Sequence, residues 1–168
     1  TVLNWGAAQD NHDLRVDLTG EITVENGDVI GDGNATVAAI VAGADAQTLT
    51  LNDDANDDAF DAITIDGDIS VGAFTAFNLT VSGDDNDANG DDLDVDVNGN
   101  VNLGTGTLTI VADAANANSD VSFLLSGNLT AGSVVLTDGS SDAVLLLDGT
   151  TEQVVSADID GAGVGQGY

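Results

Sequence analysis

The feature that most constrains this chain is a repeated grammar: a short alternating strand, a glycine, a second short strand and another glycine. Four copies, at 14–24, 63–72, 95–104 and 123–132, align on their first glycine. A third strand follows three of them, at 78–81, 107–111 and 133–137. A truncated copy occupies 144–149 and continues into 153–155, and a degenerate copy lies within 36–51. The first glycines are Gly20, Gly67, Gly99, Gly127 and Gly149, so their separations are 47, 32, 28 and 22 residues, the first of which fits two turns of the repeat.

Three short strands and three corners per repeat predict an all-β fold, a parallel β-solenoid of about 5–6 short coils in a single domain spanning 1–168. In such a pile each coil hydrogen-bonds only to the coils above and below, and inward side chains stack into apolar columns. Glycine is expected where a corner needs positive φ. In the third copy Val95, Val97, Val101, Leu103, Leu108 and Ile110 are predicted to face inward, and Asp94, Asp96, Asn98 and Asn102 to face water. The alternative is an antiparallel β-sandwich, which also has short alternating strands, and whose hairpins would use Asn-Gly turns such as those at 26, 89 and 98. Similarity between whole triplets of strands favours the solenoid, because a sandwich has no reason to repeat them.

Composition narrows the function. The chain has one Lys or Arg (Arg15) against thirty Asp and Glu, a net charge of −29. Nucleic-acid binding, which relies on basic side chains neutralising phosphates, is excluded, and an anionic membrane surface would repel the protein. Lysine chemistry, including phosphate-loop and Schiff-base sites, is excluded with it. A hydrophobic fraction of 42% in 168 residues suffices for a core. Without cysteine there is neither disulfide nor thiolate metal site, and no stretch of eighteen apolar residues spans a membrane. The first residue is Thr1, a start that removal of an initiator Met would explain, as would cleavage of a secretion leader, the expectation this composition favours.

The phrases Gly127-Asn-Leu-Thr-Ala-Gly-Ser-Val-Val-Leu and Gly99-Asn-Val-Asn-Leu-Gly-Thr-Gly-Thr-Leu-Thr-Ile resemble the repeats of filamentous-haemagglutinin-type adhesins and other secreted bacterial β-solenoids. The likeness covers residues 62 to 150. It implies an extracellular, non-enzymatic surface or matrix role.

A solenoid exposes an unpaired β-edge at each end, and no capping helix is legible in the N-terminal segment 1–13 or the Gly-rich segment 161–168. Stacking end on end would satisfy both edges, and a head-to-tail contact that does not close makes a fibre. The expected partner is therefore another copy of the chain. Trp5 and Tyr168 are candidate interface anchors; the alternative for Trp5 is that it plugs the bottom of the core. Insertion of the N-terminal strand into a neighbour's sheet would give the same polymer by another contact.

The acid is almost entirely aspartate, with Glu21, Glu25 and Glu152 the only glutamates. Aspartate belongs to turns and to oxygen-rich cation sites. Long polar segments at 52–61, 82–92 and 113–120 follow the third strand of successive coils, so register predicts that they emerge from one corner. Asp85, Asp87 and Asn89, with Gly90 and Asp91, form the front half of a calcium loop, in which alternate oxygens converge and the glycine allows a sharp turn. Asp96 at the twelfth position departs from the usual Glu, so no EF-hand is claimed. Asp54, Asn56 and Asp58 form a similar run without the glycine. Calcium is the expected cofactor, and a solvated acidic edge is the alternative. Asn34, Asn78 and Asn128 lie in N-x-S/T sequons, a pattern that chance also produces in such a chain.

His12 is the sole histidine, so no Ser-His-Asp set or His-rich centre can be assembled from independent members. The nearest carboxylate pair, Asp94 and Asp96, is an ordinary alternation on an outward strand. The sequence therefore reads as a non-enzymatic extracellular subunit that polymerises head to tail into a biofilm-matrix fibre, pilus-like appendage or sheath, stabilised by calcium. The second reading is an adhesin module of a larger surface protein that binds ligands, such as surface glycans or other matrix components, through its acidic loops.

Overall fold

The computed structural model describes residues 16–24, 28–31, 35–42, 48–52, 61–72, 75–83, 92–112, 120–138 and 141–163. It contains β1 (Val16–Val24) and β2 (Asp28–Gly31), then β3 (Ala35–Ala42) and β4 (Thr48–Asn52). Next come β5 (Asp61–Ile65), β6 (Ile69–Ser70), β7 (Asn78–Ser82), β8 (Leu93–Val97), β9 (Val101–Asn102) and β10 (Thr107–Val111). The chain closes with β11 (Val121–Leu125), β12 (Leu129–Asp138), β13 (Ala143–Leu147) and β14 (Val155–Gly163). Among the described residues there is no helix.

These strands form a parallel β-solenoid. Each pairs in parallel with strands one repeat away, and the only antiparallel contact among the described residues is an isolated bridge between Ala76 and Gly104. One row, Ile22–Ile40–Ile69–Val101–Leu129–Val155, runs in register from the first rung to the last. A second face carries the row Ala35–Ile63–Val95–Phe123–Leu145, and a third carries Ile30–Leu51–Val81–Ile110–Leu136. The strict alternation of each strand explains the fit, since residues two apart share one side of a pleat. Val95, Val97, Leu103, Leu108 and Ile110 are fully enclosed, and Val101 is as well buried, while Asn98 and Asn102 are exposed. Asp94 and Asp96 face outward but are half-buried among their neighbours. The outward rows of the third face are mixed, with a hydroxylic stretch Thr50–Thr80–Thr109 that continues into Val135 and a Thr107 to Ser133 hydroxyl contact at 2.9 Å.

Three features depart from the sequence expectation. The second and third strands of the fifth coil are not separate, because β12 runs through the corner with a register shift between Thr130 and Ser133. The sixth copy is not truncated, since β14 continues to Gly163 and supplies two faces. The first-glycine corner is not a positive-φ corner: the described glycines with positive φ are Gly72 and Gly104, both second glycines at 61°. The first glycines serve close approach instead. A Cβ on Gly99 would lie 2.3 Å from the carbonyl carbon and oxygen of Gly67, and one on Gly127 would lie 2.2 Å from the carbonyl oxygen of Gly99. In the second coil Ala38 takes this place, where its carbonyl oxygen would lie 2.4 Å from a Cβ on Gly67.

The corner of the last coil is wider and is filled by a side chain. Gln153 Nε2 donates to the carbonyls of Leu125 and Gly127, each at 2.7 Å, and Oε1 accepts the N–H of Gly149 at 2.9 Å. One amide thus completes three backbone bonds. Gln153→Ala is expected to lower stability by about 2 kcal/mol, because unsatisfied part-buried groups lose their partners. For a chain of this size the melting temperature should fall by about 5 °C, which calorimetry reads. Gln153→Glu should do no better, since a carboxylate cannot donate to two carbonyls.

Candidate functional site

Three surfaces are candidates, and each is built by register. The first is the corner between the third and first faces. Strands β4, β7, β10 and β12 end there in register, and β5, β8, β11 and β13 begin there in register, so the segments joining them leave from stacked anchor points. At this corner Asp92 Oδ1 accepts the backbone N–H of Asp120 at 3.0 Å, and Asp120 Oδ1 accepts that of Asp142 at 2.9 Å. Asp138 Oδ1 similarly accepts from Ala143 at 2.9 Å.

An equivalent polar ladder follows the corner glycines. Asp68 Oδ1 accepts the backbone N–H of Asn100 at 2.7 Å, Asn100 Oδ1 that of Asn128 at 3.0 Å, and Asn128 Oδ1 that of Val154 at 2.8 Å. Asn100 also donates its side-chain amide to Asp68 at 3.2 Å. These ladders give aspartate a role that the composition did not suggest. Its short arm holds an acceptor one rung away, about 4.8 Å along the pile, where the next backbone N–H sits. The signal was present in the sequence as an Asx residue directly after each of Gly67, Gly99 and Gly127, but nothing local says what it bonds.

The proposed calcium ligands Asp85, Asp87, Asn89, Asp91, Asp54, Asn56 and Asp58 lie outside the described residues, as do Trp5, Tyr168 and Asn34. Among the described residues no group of three or more His, Asp or Glu side chains is gathered closely enough to hold a metal. Of the other sequon asparagines, Asn78 and Asn128 are exposed, and the Asn78 amide oxygen accepts the N–H of Thr107 at 3.0 Å.

The second surface is the outer side of the first face. Its two central rows are Ala62–Asp94–Ser122–Val144 and Thr64–Asp96–Leu124–Leu146. Burial is the main reason the Asp94 carboxyl is raised above its ordinary value; the Ser122 hydrogen bond opposes the shift and Asp92 adds to it. Asp96 is raised by burial first, then by Asp148, Asp66 and Asp94. A folded-state pKa above the unfolded one means that the native protein binds protons more readily, so stability rises as pH falls through the raised values. The gain is complete once pH drops below the ordinary carboxylate value of 3.8. The melting temperature should therefore rise on acidification from neutrality toward the ordinary carboxylate value. Asp96→Asn should raise it at neutral pH and flatten the acid gain; an unchanged slope in that variant would count against this origin.

The third surface is the C-terminal end of the pile. Ile159 continues the row Leu49–Leu79–Leu108–Val134, whose members are 0% exposed, yet it is 61% exposed itself. Leu147 continues the row Ile65–Val97–Leu125, likewise 0% exposed, and is 41% exposed. Side-chain type is unchanged along these rows; the difference is that no described coil lies above the sixth.

No protein family, curated protein or solved structure significantly matches this chain.

Proposed function

We propose that this chain is an extracellular structural subunit that polymerises head to tail into a filament, of the kind found in a biofilm matrix, a pilus-like appendage or a sheath. The observation that carries the reading is the last coil, on whose far side no described strand pairs. Ile159, Leu147 and Val154 present apolar surface beside the open edges of β13 and β14. Each such side chain is already about half buried, so covering the rest contributes about 1 kcal/mol, and an open β-edge gains a ladder of hydrogen bonds on pairing. Among the described residues β1 and β2 pair on one side only, so the first coil of a second copy would offer the matching parallel edge, with Ile22 in the same row as Val155. The Gly-Asn repeats shared in style with secreted solenoids support the extracellular placement. Calcium at the acidic segments that join the third face to the first, with Asp85, Asp87, Asn89 and Asp91 as the leading ligands, would offset repulsion among their carboxylates.

Electron microscopy and size-exclusion chromatography of the full chain test the reading. Filaments are expected from the native sequence, and Ile159→Asp/Leu147→Asp should leave soluble monomers with unchanged circular dichroism. Native protein that stays monomeric at high concentration would overturn the filament and favour the adhesin module. Chelation is expected to lower the melting temperature, and no shift would remove calcium from the proposal.

A further inference from the structure

The outer side of the first face changes character along the pile. In the third coil its central outward positions are Ala62 and Thr64, in the fourth Asp94 and Asp96, in the fifth Ser122 and Leu124, and in the sixth Val144 and Leu146. Leu124 points outward because Phe123 and Leu125 on either side of it are 0% exposed. Val144 and Leu146 are 39% and 48% exposed. The solenoid core has no use for aliphatic side chains at these outward positions, where threonine or serine serves the strand as well. The three form a contiguous apolar patch, since Leu124 and Leu146 are register partners and Val144 lies two residues from Leu146 on the same side of β13.

Carboxylates frame the patch. Asp96 is the register partner of Leu124 on the previous rung, and Asp94 lies two residues before it on the same strand. Asp142 immediately precedes β13 and ends the ladder begun by Asp92 and Asp120, while Asp148 immediately follows β13 and accepts a hydrogen bond from the Ser126 hydroxyl at 3.0 Å. An apolar centre with a rim of one charge sign is the pattern of a recognition surface. The charge of the rim selects the occupant. A second copy carries −29 with a single basic side chain, Arg15, and would meet this rim with repulsion.

We propose that this patch, Leu124, Val144 and Leu146 within the frame of Asp94, Asp96, Asp142 and Asp148, docks a cationic amphipathic segment of a different polypeptide. Aliphatic or aromatic side chains of that segment cover the three residues, and its Lys or Arg side chains meet the surrounding carboxylates. Asp94 and Asp96 are held above their ordinary carboxylate values by burial and by neighbouring acids, so an arriving cation relieves an existing repulsion. The surface lies on the side of the pile, not its end, so the inference does not depend on filament formation.

Fluorescence anisotropy of the full chain with two labelled synthetic peptides tests it: one alternates Leu and Lys, the other alternates Ser and Lys with equal charge. At about 0.15 M ionic strength, where charges more than about 8 Å apart are largely screened and contacting pairs are not, the Leu-Lys peptide should bind about tenfold more tightly. Val144→Thr/Leu146→Thr should abolish that difference while preserving the circular dichroism spectrum, because threonine suits an outward strand position. Asp94→Asn/Asp96→Asn should weaken binding of the Leu-Lys peptide by about tenfold and leaves the aliphatic residues in place, so it serves should the first variant misfold. Equal binding of both peptides to the native chain, a preference that survives Val144→Thr/Leu146→Thr, or unchanged Leu-Lys affinity in Asp94→Asn/Asp96→Asn overturns the proposal. So does a self-association of the native chain, seen by sedimentation, that Val144→Thr/Leu146→Thr removes while leaving peptide binding intact.

Discussion

Gly99→Ala is expected to be among the most damaging single-methyl additions in this protein. The new Cβ would lie 2.3 Å from the carbonyl carbon and oxygen of Gly67 and 2.6 Å from the amide nitrogen of Asp68. All three are backbone atoms of the coil below, so no rotamer change can relieve the overlap. The two coils must separate at a corner where Asn98 N donates to Ile65 O at 2.9 Å and Ile69 N donates to Asn100 O at 2.9 Å. Overpacking of a close-packed interior costs typically 1–3 kcal/mol, and three rigid backbone atoms within 2.6 Å put this site at about 3 kcal/mol or more. The corresponding drop in melting temperature is about 10 °C for a chain of this length. A comparison separates crowding from backbone conformation. At Gly72, whose φ is 61° and whose Cβ would meet nothing closer than 3.0 Å, asparagine should be tolerated better than alanine. At Gly99 asparagine should be no better than alanine. Asparagine rescue at Gly99 would show that φ, not contact between coils, sets the glycine there.

Phe123→Ala is expected to cost about 3–5 kcal/mol, the range for emptying a fully enclosed aromatic site. Phe123 is 0% exposed and lies between Val95 below and Leu145 above in one row. The cavity cannot be filled by sliding a coil, because neighbouring strands are pinned in register by the ladder and by Asn100–Asn128 on one side and Asp120–Asp142 on the other. Contacts in a solenoid are confined to adjacent rungs, so the loss should be local. Hydrogen exchange is expected to quicken first in β11, β13 and β14, and least in β5 and β6, with denaturant melts showing reduced cooperativity. Uniform acceleration across all coils would mean that the pile unfolds as one unit and would contradict a nearest-neighbour account.

The sixth coil shows what could be read from the sequence at the candidate sites and what could not. Val144 through Leu147 look in sequence like any enclosed strand, and Ile159 looks like any inward aliphatic residue. Leu147 and Ile159 are exposed by their position on the last coil, and Val144 and Leu146 because they face outward. The Asx residues after Gly67, Gly99 and Gly127 were visible, yet their partners lie 26 to 32 residues away. Likewise the framing of Leu124 by Asp96 and Leu146 joins residues that only the register places side by side.

Alternation with period two is written in consecutive residues, so the strands, their inward sides and the repeat that stacks them followed from the chain alone. The reason for each corner glycine, the carbonyls that Gln153 satisfies and the aliphatic surface left bare on the last coil depended on the tertiary structure. Those properties belong to the gap between one rung and the next, and a local pattern carries no record of what, if anything, occupies it.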